Sequence, residues 1–309
     1  MFYLDAGRLA GLLDFAALVD ALDAAFRGGA TVPPRHHHTV PVDSGRHATL
    51  LLMPAWDEAF IGIKTATVMP ENTDRGLPGV HATYQLLDRP TGQVLTSMDG
   101  AELTARRTAA ASALASRYLS RPKARRLTMV GTGVLAPHLI RAHASQREIA
   151  EVVIWGRDTD KAAAVARGFN DAEFSARAEA DLEAAVDGAD IISCATMATE
   201  PLVRGAWLQP GQHLDLVGGF TPLMRETDDE ALGRAEIFVD TDHAVTTAGD
   251  ICDPIKRGVI SDADIKGTLF TLCRAETAGR LDADSITLFK SAGTAIEDLA
   301  AAVLAYGRA

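Results

Sequence analysis

A glycine-rich segment in the middle of the chain carries the strongest chemical signal. Gly131-Thr132-Gly133-Val134-Leu135-Ala136 directly follows the apolar run LTMV and opens a helical pattern. In this order the first glycine permits a tight turn, the second lets the backbone approach a pyrophosphate, and the small Ala136 allows close packing of helix on strand. Free N–H groups at the start of the helix would hold the phosphates. The segment predicts a dinucleotide site; the alternative is a glycine turn without a nucleotide.

The end of the next predicted strand bears on which dinucleotide is bound. It reads Trp155-Gly156-Arg157-Asp158, where an NAD-specific domain usually places an acidic residue on the ribose hydroxyls. Gly156 leaves room for a phosphate, and Arg157 can donate to the 2′-phosphate of NADPH. Asp158 can instead accept from the ribose of NADH. The pattern favours NADPH and leaves NADH possible; an exposed arginine without a ligand is the other interpretation.

Two cations are predicted to face inward and therefore to need anions. Arg107 lies at helical spacing from Leu103 and Leu114 and shares their apolar stripe. Lys64 lies in the segment FIGIKTATVM, which is apolar on both faces of a strand. An unpaired buried cation is costly, so each should meet a protein carboxylate or a bound carboxylate or phosphate. Lys64 can also be a proton donor with a lowered pKa, or a lysine that extends to solvent at a sheet edge.

The other candidate metal ligands have unsuitable spacing. The histidines of Arg35-His36-His37-His38 alternate sides in a strand and cannot all face one ion. The cysteines Cys194, Cys252 and Cys273 form neither a CxxC pair nor a disulfide framework. We therefore predict no metal site and three buried thiols.

Composition narrows the class of protein. The chain has 309 residues, 47% of them hydrophobic, and a formal net charge of -11. An acidic chain of this kind is not expected to bind nucleic acid. No apolar run is long enough for a membrane helix, and the start carries Asp5 where a signal peptide would be basic. These features predict a cytoplasmic protein without a membrane partner.

The elements that must position these residues fall into two groups. Over residues 1–120, an amphipathic helix with Asp14 as its N-cap is followed by antiparallel strands and by a helix over Leu103–Leu119. Over 121–284, apolar strands alternate with helices, which predicts a doubly wound parallel sheet. The expected fold is α/β, a Rossmann domain plus an α+β domain to which residues 285–309 return.

With these motifs in place, the chain resembles the ornithine cyclodeaminase/mu-crystallin family over nearly its whole length. The resemblance rests on FIGIKTATVMPENTDRGLPG, TGQVLTSMDGAELTARRTAAASALASRYL, LTMVGTGVLA, EPLVRGAWLQPGQHLDLVGG and TLFKSAGTAIEDLAAA. It implies that the first domain binds substrate and forms a homodimer. It also implies that Arg35, Lys64 and Arg107 hold the substrate carboxylate.

Two departures from the family pattern bear on the activity. Ornithine cyclodeaminases follow Val-Gly-Gly with an aspartate and place a glutamate just before Leu-Met-Pro, where this chain has Phe220 and Leu51. Without these carboxylates, amine chemistry on ornithine loses its evident acid/base groups. The segment HLDLVGGFTPLMRETDD most resembles the Δ1-pyrroline-2-carboxylate reductases, which implies NAD(P)H-dependent reduction of that cyclic imino acid, or its six-membered homologue. A cyclodeaminase, an alanine-type dehydrogenase and a non-catalytic NADPH-binding protein remain alternatives.

The remaining candidate site residues follow from this reading. Thr196, after the fourth strand of the second domain, and Ser291, in the FKSAG turn, are candidates for contact with the nicotinamide, although both can be simple turn hydroxyls. Val217 is a further candidate cofactor residue. Around the substrate we expect Phe220, Met53 and His81.

Overall fold

The computed structural model describes residues 1–42 and 47–309. The strands are β1 (Phe2–Leu4), β2 (His36–Pro41), β3 (His47–Trp56), β4 (Phe60–Val68), β5 (Val80–Asp88), β6 (Val94–Asp99), β7 (Arg126–Val130), β8 (Glu151–Trp155), β9 (Ser175–Glu179), β10 (Ile191–Cys194), β11 (His213–Leu216), β12 (Ala235–Val239), β13 (Ile265–Thr268) and β14 (Ile286–Lys290).

The helices are α1 (Ala6–Leu12), α2 (Phe15–Gly28), α3 (Gly100–Leu119), α4 (Leu135–Ala144), α5 (Thr159–Arg167), α6 (Leu182–Val186), α7 (Asp229–Arg234), α8 (Asp242–Thr247), α9 (Gly249–Lys256), α10 (Leu269–Cys273) and α11 (Ala295–Arg308). Short 3-10 turns lie at Pro70–Arg75, Gly205–Trp207 and Asp262–Asp264. Among the described residues, no helix combines the length and apolar character that crossing a membrane requires.

The chain divides into two compact units. Unit 1 contains Met1–Arg107 and Thr294–Ala309, and unit 2 contains Thr108–Gly293.

Unit 1 is built on a six-stranded sheet in the order β1-β6-β5-β4-β3-β2. The neighbours from β6 to β3 are antiparallel, as the strand pattern predicts. Strand β2 is also antiparallel to β3, and β1 runs parallel to β6. Helix α11 packs on β3, β4 and β5 and also contacts α2. The sheet face under α11 is therefore the buried face of unit 1.

Helix α2 forms where the sequence predicts it. The Asp14 carboxylate accepts from the backbone N–H of Ala17 at 2.9 Å, which satisfies one of the free donors at the helix start. Leu18, Leu22 and Phe26 are fully buried along one stripe. The helix ends at Gly29, whose φ of 83° favours glycine. The predicted cap and apolar face are both confirmed.

Unit 2 is an eight-stranded, all-parallel sheet in the order β13-β12-β14-β11-β10-β7-β8-β9. Strands β7, β8, β10 and β11 are the strands that the sequence predicts in this part of the chain. The strand order reverses between β7 and β10, which is the point where doubly wound sheets bind ligands at their carboxyl edge. This arrangement confirms the predicted Rossmann class.

The boundaries of the units differ from the expected domains. Unit 1 ends at Arg107 rather than at 120, and its C-terminal part begins at Thr294 rather than at 285. The second difference has a clear cause, because β14 hydrogen-bonds between β11 and β12 and so belongs to the parallel sheet. Strand β9 was not predicted. Its sequence SARAE is only partly buried at the sheet edge, so it lacks the apolar run of a central strand.

Candidate active site

A row of side chains crosses the buried face of unit 1. Met53 pairs with Lys64, and Lys64 pairs with Tyr84, so the three residues share one face of the sheet. All three are buried. The interpretation of Lys64 as an edge lysine is therefore wrong.

Both predicted inward cations meet protein carboxylates from α11. The Lys64 ammonium lies 2.7 Å from Oδ2 and 2.9 Å from Oδ1 of Asp298. Arg107 donates from Nε to Oδ1 of Asp298 at 2.9 Å and from Nη1 to Oε2 of Glu297. Glu297 and Asp298 are fully buried. The expectation that each cation requires an anion is confirmed, and in this structure the anions belong to the protein.

One terminal nitrogen of Arg107, Nη2, has no recorded acceptor among the described residues. Within the described residues, the structure records hydrogen bonds from its Nε and Nη1 but none from Nη2. A guanidinium forms its strongest contacts with carboxylates through pairs of N–H groups. The two carboxylates of α11 thus fix Arg107 while leaving Nη2 for a further acceptor.

The two cations differ in how firmly they hold their protons. Burial lowers the pKa of Lys64 to about 8, with the Asp298 carboxylate opposing this shift and the neighbouring Arg107 adding to it. Burial also acts to lower the pKa of Arg107, but Asp298 and Glu297 outweigh it and raise that pKa. Arg107 is therefore a permanent charge, whereas Lys64 can exchange a proton near neutral pH.

The other predicted substrate residues of unit 1 fall at different places. Arg35 is half-buried and directly precedes β2; extending the pairing of β2 with β3 by one residue sets it opposite Met53. Leu51 pairs with Ala66 and so lies on the same face as Lys64. His81 is exposed and pairs with Thr67, which places it on the opposite face. The structure thus pairs Met53 with Lys64 and leaves His81 on the opposite face, while the place of Arg35 beside them stays a prediction.

In unit 2 the glycine-rich segment has the geometry that its sequence predicts. Gly131 has φ of 125°, and a Cβ there would lie 2.5 Å from the carbonyl oxygen of Ala195, so no other residue fits. A Cβ at Gly133 would meet nothing within 4 Å, which leaves its backbone open to a ligand. Ala136 is fully buried, and α4 begins at Leu135 without a side-chain cap. These residues fit the pyrophosphate of a dinucleotide.

The three residues that follow β8, Gly156, Arg157 and Asp158, have different roles in the structure. A Cβ at Gly156 would lie 2.6 Å from Cγ2 of Thr132, so this glycine makes room for the fingerprint threonine. Asp158 accepts from the N–H groups of Asp160 and Lys161 at 3.1 Å and caps α5. Arg157 is exposed. The acidic residue already serves the helix, while the arginine is open to a ligand.

The loops that follow the strands of unit 2 carry the remaining candidates. Thr196 donates its hydroxyl to Glu226 at 2.9 Å, and Ser291 is buried with its hydroxyl 3.5 Å from Asp240. Val217 is buried. The structure gives both hydroxyls a protein partner, so their predicted contact with the nicotinamide remains a prediction.

Exposed apolar side chains cluster on loops at this same edge of the sheet. Val134 follows β7, Met197 follows β10, and Phe220 and Leu223 follow β11. Their exposed fractions are 78%, 77%, 55% and 79%. Large apolar side chains exposed on such loops are typical of surfaces that bind a ligand or a partner.

Several charged residues near these sites were not predicted. In unit 1 they are Glu297 and Asp298. The sequence did contain a signal for Asp298. It lies three residues before the buried Ala301 and four before the buried Ala302, so it shares their side of the helix. In unit 2 they are Glu226, Asp250 and Lys290, all fully buried. Lys290 ends the fully buried strand ITLFK, whose three apolar residues also indicate an inward cation.

The chain is similar to known proteins over most of its length. The family model "Ornithine cyclodeaminase/mu-crystallin family" matches residues 5–309. A protein named Delta(1)-pyrroline-2-carboxylate reductase from Colwellia psychrerythraea is 37% identical over 94% of this chain and 93% of its own. The ketimine reductase mu-crystallin of Rattus norvegicus is 35% identical over 90% of this chain and 85% of its own.

Among solved structures, the Delta(1)-pyrroline-2-carboxylate reductase of Thermococcus litoralis in complex with NADH and L-proline superposes with a TM-score of 0.92. It is 32% identical and covers 100% of this chain and 97% of the other. The family match and the superposition each cover nearly the whole chain and so include both units. The chain therefore belongs to the ornithine cyclodeaminase/mu-crystallin family.

Proposed function

We propose that this protein uses NADPH to reduce Δ1-pyrroline-2-carboxylate to L-proline, with Δ1-piperideine-2-carboxylate as a second substrate that yields L-pipecolate. At the coarser level the chain is an NAD(P)H-dependent oxidoreductase that acts on C=N bonds, since its relatives are named as such reductases. L-proline, present in the Thermococcus litoralis structure, is the reduced form of the proposed substrate.

The observation that carries the proposal is the buried pair Lys64 and Arg107. Both side chains contact Asp298, and the permanent charge of Arg107 with its open Nη2 suits a substrate carboxylate. On the same face, Met53 and Leu51 offer an apolar surface to a small ring. We propose that Arg35 binds the same carboxylate, because it directly precedes His36, which pairs with Leu52.

A reduced nicotinamide cofactor, held by Gly131–Ala136 of unit 2, would supply the hydride that adds to C2 of the protonated imine, and the C=N π electrons would become a lone pair on nitrogen. Lys64, with a pKa of about 8, supplies the proton that makes the imine nitrogen cationic. Arg107 and Arg35 hold the carboxylate and so fix the position of C2.

The side chains at two positions argue against ammonia release from ornithine. Phe220 and Leu51 stand where cyclodeaminases carry carboxylates, so the amine has no general base there. Apolar side chains at these places suit a ring that bears no second amine. An alanine-type dehydrogenase needs the same carboxylate site, so the assay must separate it from the reductase.

One assay separates the four candidate functions. Purified protein is mixed with NADPH and Δ1-pyrroline-2-carboxylate, and the absorbance of the reduced nicotinamide is followed. The reductase oxidises NADPH and forms proline. In separate mixtures that contain NADP+, ammonia release from ornithine without net cofactor turnover would indicate a cyclodeaminase, and reduction of NADP+ by alanine would indicate the dehydrogenase. Tight NADPH binding with no turnover of any substrate would indicate a binding protein.

The pH dependence of imine reduction tests the role of Lys64. Its pKa in the folded protein is about 8, so the protonated donor is lost as the pH rises through that value. We expect kcat/KM to fall about tenfold per pH unit above it. A Lys64→Arg variant, whose side chain stays charged, should lack this limb even if it is slower. The same limb in both proteins would assign it to the imine or to another group.

Cofactor preference tests the role of Arg157. One charge-assisted contact contributes on the order of 1.5–3 kcal/mol, so Arg157→Ala should raise KM for NADPH about ten- to hundredfold. The KM for NADH should change little, because NADH lacks the 2′-phosphate. Arg167→Ala, at the last residue of α5, is a matched control. Equal effects of Arg157→Ala on both cofactors would refute the assignment.

We also propose that the protein is a homodimer. Support comes from β2, an edge strand of unit 1 that pairs on one side with β3 and whose residues are all exposed. Open strand edges are usually covered in native proteins. Light scattering that reports the mass of a single 32.7 kDa chain would refute the dimer.

A further inference from the structure

A buried charged network lies at the carboxyl edge of the parallel sheet in unit 2. Lys290 is the last residue of β14, and its Nζ lies 3.0 Å from Oδ2 of Asp250 and 3.8 Å from Oε2 of Glu226. All three side chains are fully buried. Burying charges is costly even when they are paired. The fingerprint and Arg157 account for phosphate binding without this network, so its position calls for another role.

Glu226 joins the ends of two neighbouring strands. Its Oε1 accepts from the backbone N–H of Thr196 at 2.7 Å and from the hydroxyl of Thr196 at 2.9 Å. Its Oε2 accepts from the backbone N–H of Gly218 at 2.8 Å. Thr196 lies just after β10 and Gly218 just after β11. One carboxylate therefore fixes both loops.

The loop at Gly218 is packed closely against Thr196 and Glu226. A Cβ at Gly218 would lie 2.0 Å from the carbonyl oxygen of Thr196 and 2.6 Å from Oε1 of Glu226. Asp250 in turn accepts from the backbone N–H of Glu226 at 2.7 Å. Asp250 thus holds Glu226, and Glu226 holds the two loops.

The place of these loops in the sheet indicates which part of a dinucleotide they serve. The fingerprint follows β7, and Arg157 follows β8, so that half of the sheet takes the pyrophosphate and the adenosine. Strands β10, β11 and β14 lie on the other side of β7. A dinucleotide that crosses the reversal point of the strand order puts its second half over these strands.

We propose that Glu226 is a positioning residue for the nicotinamide half of the cofactor, acting through the loops at Thr196 and Gly218. The inference rests on the proposed function only for the class of cofactor and is independent of the imine. Lys290 supports this role, because burial raises the pKa of Glu226 to about 7 while the Lys290 ammonium opposes that rise. The lysine thereby limits this rise and favours the ionised carboxylate, whose two oxygens accept from both loops.

The test compares two ligands that differ only in nicotinamide. Calorimetric titration measures the Kd of NADPH and of 2′-phospho-ADP-ribose for wild type and Glu226→Gln. The glutamine has the same shape but only one acceptor oxygen, so one loop amide loses its partner. We expect NADPH to bind about tenfold more weakly or worse, with binding of 2′-phospho-ADP-ribose unchanged. An equal loss for both ligands, or no loss for either, would overturn the proposal.

Asp215→Asn is the matched control. Asp215 is another fully buried carboxylate of unit 2, bound to Ser193 at 2.7 Å and to His143 at 3.2 Å, and the structure gives it no loop amide. Within the described residues its contacts are side chains only. This variant should lower Tm without changing the ratio of the two Kd values.

A measurement on the wild type covers the case in which Glu226→Gln does not fold. Hydrogen exchange of the Thr196 and Gly218 amides in the cofactor-free protein should be slow, because both donate to a buried carboxylate. Fast exchange at either amide would overturn the proposal. Neither experiment contains an imine. Both therefore still test the role of Glu226 if the protein fails to reduce the imine in the separate assay.

Discussion

Replacing Arg107 with lysine is expected to raise the KM for Δ1-pyrroline-2-carboxylate about ten- to hundredfold while leaving the Kd of NADPH unchanged. Lysine keeps a positive charge beside Glu297 and Asp298, so the chain should still fold. It loses the planar group whose Nη2 is open to the substrate carboxylate. Steady-state kinetics with varied imine, together with NADPH titration, measures both quantities.

Arg107→Leu should impair activity more than Arg107→Lys and should also destabilise the fold. Removing one partner of a buried ion pair costs about 3–5 kcal/mol because the other charge is left uncompensated. The variant should therefore lose stability as well as activity, which a fall in Tm would report. Arg106→Leu is the matched control on the same helix, since Arg106 pairs with the partly exposed Glu102. If Arg106→Leu and Arg107→Lys gave the same KM, Arg107 would have no role in substrate binding.

Wild-type protein is expected to release no ammonia from ornithine at any pH, and Phe220→Asp is expected to impair imine reduction. Phe220 is 55% exposed without ligands, so an aspartate there should fold normally. The cost arises only when a bound ring covers the carboxylate, which must then lose its water or take up a proton, at a cost of several kcal/mol. The expected result is a raised KM for the imine at unchanged Tm.

Phe220→Leu is the control for this experiment, because it keeps an apolar side chain and should reduce the imine nearly as well as wild type. Phe220→Asp need not gain cyclodeaminase activity, since Leu51 still replaces the family's glutamate. Ornithine turnover by the wild type, or full reductase activity of Phe220→Asp, would show that the pocket has been misinterpreted.

Features that depend on neighbouring residues were predictable from the sequence. The Asp14 cap and the Gly131–Ala136 turn follow from local chemistry, and both are present. The burial of Arg107 followed from its position in an apolar stripe. In each case a short segment contains all the residues on which the prediction depends.

Partners that are distant in the chain were not predictable in the same way. Glu297 and Asp298 reach Arg107 across about 190 residues, and only the folded unit 1 brings them together. Glu226 lies in the charged segment RETDD, which looks like a solvated loop in the sequence. Its burial depends on Asp250, Lys290 and two loop amides from other strands. No periodicity within the segment signals these contacts.

The close approach of Gly156 to Thr132 limits how cofactor choice can evolve in this chain. A preference for NADH usually requires an acidic side chain at the end of β8, yet Asp158 is already committed to capping α5. An acidic residue at position 156 would place its Cβ 2.6 Å from Cγ2 of Thr132. Thr132→Ser removes that methyl group and keeps the hydroxyl, so the change at 132 has to precede the change at 156. The order of these two substitutions, more than their number, therefore decides whether an acidic residue can be accommodated at position 156.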